Sequence, residues 1–119
     1  MEPITENLDD ILEKLVMDVA EVKAVAIVSA EGLPIASFFS QEVDETKLAA
    51  IIASFFSLAE SSVTELKRGE IDQIIIKESK GYLIILQAGP NAIMIISLTD
   101  IKGIFFDNKR TCERIAKLL

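Results

Sequence analysis

The side chains that most often do chemistry are scarce in this sequence. Its 119 residues contain no histidine and a single cysteine, Cys112. General acid–base catalysis would therefore fall to Asp or Glu. Most carboxylates lie on the polar sides of amphipathic segments or at turns. Asp72, the one within a strand pattern, sits beside Gln73 near the strand start, where a solvated rim position is expected. Histidine and paired cysteines, the usual zinc ligands, are missing, and no Asp-x-Asp-x-Asp-Gly loop offers oxygens to calcium. No catalytic residue, metal or cofactor is expected. Cys112 falls on an apolar helical stripe with Ile115, Ala116 and Leu119, and apolar surroundings keep a thiol protonated, so it reads as structural.

Three glycine turns could be mistaken for phosphate loops: "SAEGLP", "KGYL" and "AGPN". A phosphate loop needs a strand, a Gly-rich turn with Lys-Ser or Lys-Thr, and a helix whose N-terminus meets the anion. Each turn here lies between two strand patterns, and "SAEGLP" adds an acid that would repel phosphate. Gly32 is better read as the positive-φ residue of a tight hairpin.

The elements that must position any site follow from periodicity. In "TENLDDILEKLVMDVAEV" the residues Leu8, Ile11, Leu12, Leu15, Val16 and Val19 recur at helical spacing, and Thr5 or Asn7 can cap the start. Residues 22–28 form a strand that is apolar on both faces, and a second strand starts at Pro34. Asp44 caps a long helix over about 44–67, with Gly69 placed to end it. Its core stripe reads as Leu48, Ile52, Phe55, Ala59, Val63 and Leu66, flanked by Ile51 and Phe56. Three strands follow, "EIDQIIIKE", "GYLIILQA" and "NAIMIISL". Their connections are too short for anything but antiparallel hairpins. A last helix covers about 101–118, starting nearer Asp107 if Gly103 weakens its first turn. The order α-β-β-α-β-β-β-α predicts an α/β domain of the α+β type, a single domain over 1–119. Its five-stranded antiparallel sheet carries the long middle helix on one face and the two terminal helices on the other.

Composition narrows the partners. Half the residues are hydrophobic, 26% are charged, and the formal net charge is −7. This is a folding chain, not a disordered one, and its acidity argues against nucleic acid and anionic membrane surfaces. The acidic start "MEPITENLDD" has no apolar signal-peptide core, and no continuous apolar run reaches spanning length. A cytoplasmic protein without direct membrane insertion is expected, and one cysteine without a mate agrees with a reducing compartment.

Two features point to self-association. Opposite the expected core stripe, the middle helix carries Ala50, Ser54, Ser57 and Ser61, with Lys47 and Thr64 at the ends, so that small residues recur where a solvated face would carry Lys and Glu. Such a face lets another helix approach closely. The following strand, with Gln73, Ile74, Ile75 and Ile76, would expose unpaired backbone groups if it lay at the sheet edge. Pairing with its own copy about a two-fold axis would cover that edge and bring the two middle helices together. The expected interface is therefore Lys47, Ala50, Ser54, Ser57, Ser61, Gln73, Ile74, Ile75 and Ile76.

Taken together, the element order and the segments "LDDILEKLVMDVAEVKAVAIVSAEGLPIAS", "KLAAIIASFFSLAE" and "LKRGEIDQIIIKESKGYLIILQAGPNAIMIISL" resemble the roadblock/dynein light-chain family, in its prokaryotic stand-alone form. The resemblance implies a homodimer built through the middle helix and third strand, and a non-enzymatic role. Some members regulate Ras-like small GTPases in prokaryotes, one of them stimulating hydrolysis by its partner. Others are subunits of dynein or of scaffolds that recruit small GTPases to membranes. The family offers no shared catalytic residue, and Arg68, Arg110 and Arg114 carry no mark of an arginine finger. The leading expectation is a homodimeric platform for a small Ras-like GTPase. The alternatives are a scaffold subunit whose binding ignores nucleotide state, and a small-molecule sensor or enzyme, for which the sequence shows no convergent polar cluster.

Overall fold

The computed structural model describes residues 7–99. The chain runs α1 (Leu8–Asp18), β1 (Val22–Ser29), β2 (Pro34–Phe38), α2 (Glu45–Glu65), β3 (Gln73–Glu78), β4 (Gly81–Gln87) and β5 (Ala92–Leu98). The expected last helix, with Cys112, Arg110 and Arg114, lies outside the described residues. The five strands form one antiparallel sheet in the order β2-β1-β5-β4-β3. β1 and β2 make a hairpin. Helix α2 then carries the chain across to the far edge, and the β3-β4-β5 meander returns to pair with β1. The expected α+β architecture is present.

Alternation along the central strands builds two cores. Val25, Ile27, Ile84, Leu86, Met94 and Ile96 face α1, where they meet Ile11, Leu12 and Leu15. Ala26, Val28, Ile85, Ile93 and Ile95 face α2, where they meet Ala49, Ile52 and Phe56. Strands buried on both faces need a helix on each side, and α1 and α2 supply them. Asn7 caps α1, its side-chain oxygen accepting from the Asp10 N–H at 2.9 Å. Asp44 caps α2, accepting from the Lys47 N–H at 3.1 Å.

The end of α2 differs from expectation. The left-handed residue is Lys67, at φ 54°, two positions before Gly69. The Arg68 N–H donates to the Val63 carbonyl and the Lys67 N–H to that of Thr64, the pair of bonds that closes a Schellman cap. The helix thus stops before glycine is reached, and the cap hydrogen bonds hold a lysine in a conformation glycine usually supplies.

Candidate functional site

The glycine corner between β1 and β2 is closed to an anion. The Ser29 N–H donates to the Leu33 carbonyl at 2.8 Å, the Ala30 N–H to that of Asn91 at 2.9 Å, and the Gly32 N–H to that of Ser29 at 3.0 Å. The Leu33 N–H donates to the Ser29 hydroxyl at 3.0 Å. Backbone donors committed in this way cannot cradle a phosphate. Gly32, at φ +91°, serves the corner in a second way. A Cβ there would lie 3.4 Å from the Ala50 Cα, so the corner rests directly on the small residues of α2. Among the described residues no group of three or more His, Cys, Asp or Glu is placed to hold a metal ion.

Helix α2 is rotated relative to the sequence expectation. Its buried residues are Ala49, Ile52, Ala53 and Phe56. Of the expected core stripe, Ile52 is buried, Leu48, Ala59 and Val63 are half-buried, and Phe55 and Leu66 are exposed. The physical reason is the Gly32 corner. It lies close to the α2 backbone at Ala49 and Ala50 and to the Ala53 Cβ, which favours a small side chain at 53 on the flank facing the corner and leaves larger side chains turned away from the sheet. Ile51 is left 53% exposed, Phe55 40%, Leu58 68% and Leu66 71%. Leu48, Ile51, Phe55, Leu58 and Ser62 recur at intervals of three, four, three and four, the spacing of a helix–helix seam. The Ser62 hydroxyl suits an apolar seam, because it donates back to the Leu58 carbonyl at 3.0 Å. The seam is readable from spacing alone, but the small-residue face beside it is the more conspicuous pattern.

The anticipated interface residues divide into two groups. Lys47, Ala50, Ser54, Ser57 and Ser61 are all exposed on α2. By helical geometry they lie to one side of the apolar seam, toward the Gly32 corner, and the seam lies toward the β3 side of the sheet. On β3, Ile75 is 43% exposed, while Gln73, Ile74 and Ile76 are half-buried. Ile74 and Ile76 pack against the α2-side core. Ile75 pairs with Ile84 of the α1-side core and so faces the opposite way.

Among the described residues both edges of the sheet have an unpaired side, but they are not equivalent. β2 is 5 residues long, begins with Pro34, and its register against β1 shifts between Ile27 and Val28. Shortness, proline and irregular register each blunt an edge. β3 has 6 residues, no proline and an unbroken register with β4. The edge fit for another strand is therefore β3, on the side toward which the α2 seam lies.

By length and composition α2 could also cross a membrane, with a mean hydropathy of 1.3 over its most apolar window. Here it caps a sheet, and its high hydropathy reflects two apolar sides, one on the sheet and one facing outward.

A five-stranded antiparallel sheet with a helix on each face defines an α+β domain. The family model that describes a Roadblock/LC7 domain matches residues 8–97, and the chain belongs to that family. The uncharacterised protein MJ1340 of Methanocaldococcus jannaschii is 30% identical over 98 residues, covering 79% of this chain and 84% of its own. A Roadblock/LC7 domain from Streptomyces avermitilis superposes with a TM-score of 0.83 at 16% identity, covering 95% of this chain and 98% of that one. Myxococcus xanthus MglB superposes with a TM-score of 0.83 at 19% identity, covering 95% and 97%.

Proposed function

We propose that this protein is a homodimeric, non-enzymatic platform that binds and regulates a small Ras-like GTPase in the cytoplasm. The observation that carries the dimer is the apolar α2 seam of Ile51, Phe55 and Leu58 on the side of the regular open edge of β3. A two-fold axis beside β3 would join two sheets edge to edge and lay the two α2 helices against each other. One operation covers both the unpaired strand and the exposed apolar side chains. The expected contacts Gln73, Ile74, Ile75 and Ile76 belong to this interface. The small-residue side of α2, Lys47, Ala50, Ser54, Ser57 and Ser61, then stays on the outer surface as the surface offered to the GTPase. Membership of the Roadblock/LC7 family supports the regulatory reading.

The test is capture of the small GTPases encoded in the same genome, each loaded with GTP or GDP, on the immobilised full chain. Retention that depends on nucleotide state is expected. Retention that ignores nucleotide state would favour a scaffold subunit, and no retained GTPase would remove the proposal.

A further inference from the structure

A concavity of about 240 Å³ lies between α2 and the two corners at one end of the sheet. Its α2 wall is Ala53, Phe56, Ser57 and Glu60, which follow one another at helical spacing on one flank. The opposite wall is Ala30 of the β1–β2 corner and Pro90 of the β4–β5 corner, and Gln87 stands at the end of β4. These corners are held together by the Ala30 N–H, which donates to the Asn91 carbonyl. The floor is apolar, since Ala53, Phe56, Ala92 and Ile93 are all buried. The small side chains at 53 and 57 leave the space open.

Glu60 supplies an acceptor-only carboxylate, Gln87 an amide and Ser57 a hydroxyl that can each also accept, and among the described residues no Lys or Arg lines the cavity. Another concavity, about 350 Å³ at the opposite end of the sheet, mixes Lys23 and Lys80 with Glu78. A concavity with an apolar floor, a largely polar lining that includes a carboxylate, and no cation among its described residues, in a chain of net charge −7, is complementary to a side chain with an aliphatic stem and a positive head. The volume is below the roughly 300 Å³ at which small-molecule sites begin, so it suits one side chain better than a cofactor. Several acceptors on one rim match the planar, many-donor guanidinium better than the point charge of lysine.

We infer that this cavity receives an arginine side chain from a protein partner, with the stem against Phe56 and Pro90 and the guanidinium on Glu60 and Gln87. The cavity lies on the flank of α2 away from the Ile51–Phe55–Leu58 seam, so the proposed dimer leaves it open in both copies. The inference rests on reading the chain as a protein-binding platform, but not on the partner being a GTPase.

The test uses the isotope-labelled full chain and an isolated probe, N-acetyl-arginine amide, followed by amide chemical shifts. Saturable shifts at Ser57, Glu60, Gln87 and Ala92 are expected. The neutral isostere N-acetyl-citrulline amide should give no such shifts. Glu60→Gln, at an exposed position, should weaken arginine binding about three- to tenfold, and Gln87→Leu should weaken it less. Equal response to citrulline, an unchanged titration in Glu60→Gln, or silence at these amides would overturn the inference. None of these outcomes depends on whether a GTPase is captured.

Discussion

Leu58→Ser removes an apolar side chain that does no work in the isolated chain. Leu58 is 68% exposed and belongs to neither core, so the fold should survive the change. Full burial of a leucine side chain contributes about 1.5–3 kcal/mol. The exposed share that remains to be covered in a dimer is then about 1–2 kcal/mol for each copy. Two-fold symmetry presents the residue twice, for about 2–4 kcal/mol in all. That corresponds to a dissociation constant raised about 30- to 1,000-fold. These values are ceilings, because they assume complete burial at the interface. Sedimentation equilibrium over a dilution series gives the constant, and far-ultraviolet circular dichroism checks that the fold is retained. A folded variant that dimerises as tightly as the parent would refute the seam. A variant that unfolds at every concentration would show that Leu58 belongs to the monomer's own core.

Other substitutions probe the frame around the seam. Ile75→Lys places a charge at the β3 edge and should give monomer or precipitate in light scattering, with a soluble dimer as the contrary result. Asp44→Ala removes the acceptor for the Lys47 N–H and should cost about 1 kcal/mol in urea denaturation. Gly81→Ala should be more severe, because at φ +148° its Cβ would fall on the Leu98 carbonyl oxygen. A loss of roughly 2–5 kcal/mol is expected from combined strain and overlap, and a melting temperature near that of the parent would contradict the close approach of β4 to the end of β5.

Much of this molecule was legible from its residues. Helix period in Ile11, Leu12 and Leu15, unbroken apolar runs in β4 and β5, and short glycine turns led directly to a two-sided antiparallel sheet. Chain order makes β3 the first strand of the meander but leaves its edge position a condition, which the pairing of β5 with β1 then decides. The rotation of α2 was not legible. A helix that is apolar on two sides carries no single hydrophobic stripe, so periodicity leaves its phase undetermined. What fixed the phase was the approach of Gly32 to the Ala49 carbonyl, the Ala50 Cα and the Ala53 Cβ. A contact between residues so far apart in sequence is invisible to a local pattern. For the same reason the cavity at Glu60 was not legible: it exists only where α2 passes two separate corners. Nor was Lys67, because the hydrogen bonds of the cap, not the residue type, hold its left-handed conformation.

The central claim is that two copies meet through the α2 seam and the β3 edge. Isotope-filtered nuclear Overhauser spectroscopy tests it on a sample mixing labelled and unlabelled full chains. Intermolecular cross-peaks should connect the Ile51 and Leu58 methyls across the two protomers, and others should arise from the β3 amides of Gln73 to Lys77. Cross-peaks confined to Leu33 and Ile35 at the β2 edge would contradict this arrangement, as would a labelled mixture with no intermolecular peaks.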